Sequence, residues 1–511
     1  MNTAQVTAEF EVRNPADGRV VARVREQSAE QVAEAVRALR ARQPEWEALG
    51  ARGRARWLMR LQDWLVDQSD RLTDVVQSET GKTRFDAAIE VPCAIDLAKY
   101  WAGHAEAFLA DERPRPHSPI GRTKRLLNTF RPYPVVGIVT PWNLPLMNPC
   151  FDAFAALMAG AAVVLKPSEV TPLSAVELAR GWAEIGAPPV FTVLTGAAET
   201  GRAVVDAVDY VQFTGSTGTG RAIAVACGHS LTPYSLELGG KDPAIVLADA
   251  DVDRAAAGIV YGALFNAGQA CISVERVYVE APVYDRFVTA LIARVRALRL
   301  GGDDRGFRYD VGAMATAAQR DIVRDQVDAA VAAGARILIG GKAVGAGLFF
   351  EPTVLVDVDH SMSCMTQETF GPTIPVVRVA DEDEAVRLAN DSVYGLSATV
   401  WTGDRRRGER IARRLEVGAV NINDAFANLV NFALPMGGWK DSGIGARWGG
   451  AAGIRKYCRQ QAITVPRRAL RREPLWYPAS RWRSMLVTGL MRAVDAGGVR
   501  KLPHALRAGR S

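Results

Sequence analysis

The sequence predicts a large α/β protein built on parallel, doubly wound sheets, and three observations carry that prediction. From Val135 onward, short apolar runs alternate with helical ones: VVGIVTPWN, Phe151–Ala159, AAVVLKPSE, Leu173–Glu184, VFTVLTG, Glu199–Ala207, YVQFTGS and Gly220–Cys227. Strands that are apolar throughout, each followed by a helix, are the pattern of a parallel sheet covered on both faces. A second such segment runs from about Asp242 to Leu434, with strands VERVYVE, ARILIGG, EPTVLVDV and TIPVVRV. The length of 511 residues, 48% of them hydrophobic, exceeds what one core accommodates, so two or three domains are expected.

Ahead of this region, residues 9–26 read as a hairpin turning at Asp17-Gly18. Apolar residues at helical spacing predict helices over Ala29–Ala41, Arg52–Gln68 and Leu72–Glu79, then one long helix from Arg84 to Ala110. Residues 111–118 are proline-rich, and 121–134 alternate like an exposed ribbon seeking a partner strand, which suggests an oligomer contact.

Composition narrows the function classes. The six cysteines (93, 150, 227, 271, 364, 458) lie far apart without zinc spacing, so neither a disulfide framework nor a metal site is expected. A reducing, cytoplasmic setting fits; no signal pattern or membrane-length apolar run is present. The formal charge of +6 is uneven. From Pro466 onward eleven Arg/Lys face only Glu473 and Asp495, a net of +9, which leaves the body at −3 and argues against a nucleic-acid partner.

Cys271, in Phe265-Asn-Ala-Gly-Gln-Ala-Cys271, sits in a small-residue turn between a helical and a strand-like run. Residue type alone leaves two readings, an inert packed thiol or a nucleophile with room around its sulfur. Glu237 precedes the pair Gly239-Gly240 at a strand end, as either a salt-bridged residue or a base with a raised pKa. Lys166 and Glu169 follow one strand, where a cation and an acid could meet ribose hydroxyls. Gly215-Ser216-Thr-Gly-Thr-Gly220 follows another and opens a helix, as a plain turn or a pyrophosphate cradle.

Taken together with Pro141-Trp142-Asn143, these residues resemble the aldehyde dehydrogenase superfamily over roughly residues 10–465. The resemblance implies that Cys271 is the nucleophile, that the Asn143 amide and the Cys271 N–H form the oxyanion hole, and that Glu237 is the general base. It places Glu368 and Phe370, in Glu368-Thr-Phe-Gly-Pro372, at the nicotinamide ribose and ring. Lys166 and Glu169 fall at the adenosine ribose, Gly215 and Ser216 at the pyrophosphate, and Trp142 beside the cofactor. The implied domains are a cofactor-binding domain (1–113 and 133–238), a catalytic domain (239–437), an oligomerisation ribbon (114–132 and 455–470) and a basic C-terminal extension (471–511). A homodimer or homotetramer is expected.

Two positions depart from the family pattern. Asp152 stands where many members carry Lys nine residues after the oxyanion Asn, and Gly445-Ala446-Arg447 where the late loop normally reads G-R-E. Both bear on the family's secondary proton route and not on the main mechanism. Glu169 favours NAD+ by repelling a 2′-phosphate, while Lys166 leaves NADP+ use open. The nearest pattern is that of bacterial succinate-semialdehyde dehydrogenases. Members with that activity use Arg near the positions held here by Phe265 and Asp152; with Leu144, Phe151 and Ile272 also nearby, the pocket reads as apolar and suits an aromatic or aliphatic aldehyde. The tail residues Leu475, Trp476, Tyr477, Trp482, Met485, Leu486, Gly489, Leu490 and Arg492 suggest an amphipathic helix, either packed on the oligomer or in peripheral contact with an anionic membrane. A catalytically idle relative, acting as a scaffold or membrane-surface binding protein, is the alternative of another class.

Overall fold

The computed structural model describes residues 9–118, 121–302, 305–473, 476–478 and 480–495. It divides into two compact units, Met1–Phe108 with Pro132–Cys458, and Leu109–Arg131 with Arg459–Ser511. The larger unit contains both expected sheets. The first has six strands in the order Gly443–Ile444, Tyr234–Glu237, Tyr210–Thr214, Val135–Val139, Ala162–Lys166 and Phe191–Val193. Its neighbours run parallel except the first pair.

That exception comes from Gly443–Ile444, a two-residue strand inside the glycine-rich stretch from Pro435 to Gly445. Gly443 lies opposite Glu237 in antiparallel register, and a Cβ there would sit 2.5 Å from the Leu236 carbonyl oxygen. Glycine thus lets a returning segment close against the strand that carries the candidate base.

The second sheet orders Arg336–Ile339, Thr353–Val356, Thr373–Val379, Val274–Glu280, Asp242–Val246, Ser397–Trp401 and Ala419–Ile422. Only Arg336–Ile339 runs antiparallel to its neighbour, and its outward residues leave it a half-exposed edge. Ile245, Val277, Phe287, Leu291, Ile374 and Val400 are fully buried between this sheet and its helices. Each such side chain contributes about 1.5–3 kcal/mol by leaving water.

Two helices depart from expectation. The single run from Arg84 to Ala110 is two helices, Arg84–Ala88 and Glu90–Phe108. Pro92 falls in the first turn of the second, where its missing N–H costs nothing, so the chain restarts there. The helix expected to stop at Ala41 continues to Ala48 despite Pro44. Buried anchors hold that extension: Trp46 Nε1 donates to the Leu157 carbonyl at 2.9 Å and Gln43 Nε2 to that of Gly160 at 3.0 Å.

In the smaller unit, Lys124–Pro132 pairs with Cys458–Pro466 as a two-stranded ribbon. A helix follows at Arg481–Asp495, exposing Trp482, Leu486 and Met491; Trp476 and Tyr477 are exposed as well. Leu475 and the side chains of Leu490 and Arg492 lie outside the described residues. Among those described, no helix is long and apolar enough to cross a membrane.

Candidate active site

The turn before Cys271 is unusual in its backbone. Asn266, Ala267 and Gly268 have φ of 54°, 55° and 72°, three left-handed residues in succession. For the two non-glycines this costs about 1–2 kcal/mol each, so the turn persists only because its surroundings dictate it. Asn266 Nδ2 donates to the carbonyls of Asn143 and Gln269, both at 3.0 Å, and Gln269 Nε2 returns a bond to the Asn266 carbonyl at 3.1 Å. The Ala315 N–H donates to Gln269 Oε1 at 2.9 Å. Glycine is required at 268, where a Cβ would fall 2.1 Å from the Gly371 carbonyl oxygen. The result is a rigid loop that leaves Cys271 partly exposed while the following strand is buried.

Asn143 follows the strand Val135–Val139 and lies against that loop, its Nδ2 donating to the Gln269 carbonyl at 2.9 Å. Two buried groups, Lys82 in the turn between two helices and Glu90 at the start of a third, fix the segment behind it. Lys82 Nζ donates to the Asn143 carbonyl at 2.8 Å and to Glu90 Oε1 at 2.7 Å, and Glu90 Oε2 accepts from the N–H groups of Leu146 and Met147, both at 3.0 Å. Sequence reasoning missed Lys82, Glu90, Asn148, Asn266 and Gln269 as supports. Lys82 and Glu90 carry no local signal, since charged residues in a turn or at a helix start ordinarily face solvent.

Glu237 ends the strand Tyr234–Glu237 and is 1% exposed, with Oε1 lacking a partner among the described residues. Burial pushes its carboxyl up to about 7; Arg447 and Lys456 pull it down, and Asp152 pushes it further up. Burial likewise pushes the Cys271 thiol up to about 12, with Arg447 opposing and the carboxylates of Glu237, Asp242 and Glu368 adding to the rise. The resting thiol is therefore protonated at neutral pH, beside a carboxyl that titrates there. That is the pairing a base-activated nucleophile requires.

Both groups open into a cavity of about 290 Å³ whose walls include Trp142, Asn143, Asn148, Gly215, Ser216, Glu368 and Phe370. Trp142 and Phe370 meet edge to face at 5.4 Å. The loop carrying Phe370, itself at φ 51°, is held by a buried ion pair. Lys241 Nζ lies 2.7 Å from Glu275 Oε2, and Glu275 accepts from the N–H groups of Thr369 and Phe370, both at 2.8 Å. Glu368 accepts from the Gly240 N–H at 3.0 Å; burial and the neighbouring Glu275 charge raise its pKa. Lys166 ends the strand Ala162–Lys166, its Nζ 3.4 Å from Glu169 Oε2.

The residues present fit a nicotinamide dinucleotide. Gly215 and Ser216 line the cavity where the helix Thr217–Ser230 begins, with Ser216 as its cap, and such a terminus offers N–H groups to a pyrophosphate. At Gly239 a Cβ would lie 2.4 Å from a Glu368 carboxylate oxygen, so only glycine admits that acid to the cavity wall. Among the described residues no cluster of His, Cys, Asp and Glu could hold a metal ion.

The four expected pocket residues, Leu144, Phe151, Phe265 and Ile272, are all at most 4% exposed and are not among the residues lining this cavity, although Leu144 and Ile272 adjoin its Asn143 and Cys271 in the chain. Phe265 joins Tyr261 and Phe426 in a ring cluster at 5.8 and 5.4 Å; Phe151 stacks on Trp448 at 4.1 Å. Asp152 is buried against Tyr457 and Lys456, at 2.9 and 3.2 Å.

Comparison with known proteins agrees with this geometry. The sequence profile of the aldehyde dehydrogenase family matches residues 2–463. A Mycolicibacterium smegmatis protein, provisionally named a succinate-semialdehyde dehydrogenase (NADP(+)), is 40% identical over 92% of this chain and 90% of its own. A Methylomonas protein named 4,4′-diapolycopene aldehyde oxidase is 38% identical over 85% and 82% respectively. The crystal structure of lactaldehyde dehydrogenase from Escherichia coli superposes with a TM-score of 0.87 at 34% identity, covering 90% of this chain and 96% of that one. With its fold, its motifs and its relatives in accord, the chain belongs to the aldehyde dehydrogenase family, oxidoreductases that use NAD(P)+ to convert aldehydes to carboxylic acids.

Proposed function

We propose that the substrate is an apolar aromatic or aliphatic aldehyde, oxidised through a thiohemiacetal and then a thioester on Cys271. The observation that carries this reading is the charge of the cavity. Its lining includes the carboxylates of Glu237 and Glu368 and, among the described residues, no Lys or Arg. A substrate carboxylate would enter without a cation to meet it. Phe265 and Asp152, at the expected cation positions, are committed instead to a ring cluster and a buried ion pair.

In this reading Glu237 takes the thiol proton, Cys271 Sγ attacks the carbonyl carbon, and the Asn143 amide and Cys271 N–H stabilise the oxyanion. Bound NAD(P)+ supplies the hydride acceptor, with Glu368 and Phe370 placed to orient it. Glu237 then activates the water that releases the acid. The acid at Glu169 beside Lys166 favours NAD+ over NADP+. The six-stranded sheet serves as the cofactor domain and the seven-stranded sheet as the catalytic one.

Succinic semialdehyde is the second reading, favoured by the name of the Mycolicibacterium relative. A panel of hexanal, benzaldehyde, a long-chain aldehyde and succinic semialdehyde separates the two. The apolar substrates are expected to exceed succinic semialdehyde in kcat/KM by about 100-fold, the scale of an unpaired buried charge. A preference for the semialdehyde would reverse the assignment.

The ribbon of Lys124–Pro132 and Cys458–Pro466 is proposed as the subunit contact of a homodimer or homotetramer. Free thiols at all six cysteines suit a reducing compartment such as the cytoplasm. The exposed Trp476, Trp482, Leu486 and Met491, with Arg481 and Arg483 between them, are proposed to touch anionic membranes. Full-length protein should float with anionic vesicles and a truncation before Pro466 should not. Equal behaviour of the two would remove the membrane role.

A further inference from the structure

The two departures from the family pattern, Asp152 and Arg447, meet in one buried cluster behind the catalytic centre. Arg447 is 2% exposed, and its Nε faces Asp152 Oδ2 at 3.8 Å. Asp152 is further held by Lys456 Nζ at 3.2 Å and the Tyr457 hydroxyl at 2.9 Å. The guanidinium lies over the Trp448 and Phe151 rings at 4.5 and 5.4 Å. Its other end, Nη2, donates to Asn148 Oδ1 at 2.6 Å. The reaction outlined above gives this cation no role.

A directional argument supplies one. A guanidinium can only donate, so the Asn148 amide must present its oxygen to Arg447 and its NH₂ to the other side. On that side Asn148 Nδ2 donates to Asn143 Oδ1 at 3.0 Å. With its oxygen occupied, the Asn143 amide must turn its NH₂ toward the nucleophile loop, where it donates to the Gln269 carbonyl. A flipped amide would present oxygen both to the Gln269 carbonyl and to a developing oxyanion, so the Asn148 contact and the Gln269 contact enforce one orientation together.

We propose that Arg447 is a positioning residue for the reaction. Seated between the Asp152 carboxylate and the Trp448 and Phe151 rings, it fixes the Asn148 amide and, through it, the donor face of Asn143 toward the oxyanion. This rests on the role assigned to Asn143. A donor-only residue at 447 and an amide at 148 are required together; a carboxylate at 447 would impose the opposite orientation.

The test uses two reactions of Cys271 that need neither aldehyde nor cofactor. Alkylation by iodoacetamide forms no oxyanion, whereas acylation by p-nitrophenyl acetate does. Asn148→Asp keeps an acceptor for Arg447 and cannot donate to Asn143. It is expected to alkylate within about twofold of wild type and to acylate about 100-fold more slowly, the scale of one lost oxyanion donor. In aldehyde turnover kcat should fall with KM little changed. Arg447→Met should show the same selective loss together with a lower Tm, because Asp152 keeps Lys456 but loses one of its two neighbouring cations. Asn148→Asp acylating at the wild-type rate, or losing alkylation and acylation equally, would overturn the proposal. Wild-type protein that acylates but prefers succinic semialdehyde would instead overturn the substrate reading, and the ratio of the two rates would still decide the role of Arg447.

Discussion

Cys271→Ala is expected to abolish aldehyde-dependent NADH formation, lowering kcat by about 10⁴-fold or more, as removal of a nucleophile does elsewhere. The variant should fold and bind cofactor as the wild type does. The three left-handed residues ahead of it are held by Asn266 and Gln269, and among the described residues none hydrogen-bonds the sulfur itself. Of the other five cysteines, each is buried, so alanine at any of them should leave the chemistry intact. Activity surviving in Cys271→Ala would exclude the covalent route.

Glu237→Gln carries the second large effect. Without a base, both thiol deprotonation and thioester hydrolysis slow, and kcat should fall by about 10²–10⁴-fold. The pH profile distinguishes this from a packing defect. A carboxyl raised to about 7 is protonated and idle as a base below that pH and ionised above it. Wild-type kcat/KM should therefore rise with pH through about 7, and the rise should vanish in Glu237→Gln. A profile flat from pH 6 to 8 in the wild type would contradict the assignment.

The parallel sheets were legible in the sequence because a strand buried on both faces admits few polar residues, as in Val135–Val139 and Ala162–Lys166. The residues that react were legible for a related reason. Cys271, Glu237 and Asn143 lie where strands end, in short glycine- and proline-marked stretches whose composition is constrained locally. Their supports were not. Lys82 lies in a turn between two helices and Glu90 at a helix start, and nothing within a few residues of either distinguishes a buried ion pair from a solvated one.

Distance in sequence explains the remaining gaps. Asp152 and Arg447 each look like an isolated departure from the family pattern until the fold places them 3.8 Å apart. The same holds for Gly443–Ile444, two residues too short to show any periodicity, which become a strand only because Tyr234–Glu237 offers an unpaired edge. Of the residues expected to form the substrate pocket, Phe151 and Phe265 also pack into aromatic clusters, contacts that their positions in sequence do not announce.

The measurement that bears most directly on the central claim is mass analysis of the Cys271 peptide after mixing Glu237→Gln with NAD+ and hexanal. Water is a weaker nucleophile than the Cys271 sulfur, so loss of the base slows hydrolysis more than acylation, and the account predicts an acyl adduct on Cys271 and a burst of about one NADH per subunit. Neither adduct nor burst, with wild-type protein that binds cofactor yet oxidises none of the aldehydes in the panel, would contradict it and identify the chain as a catalytically idle member of its family.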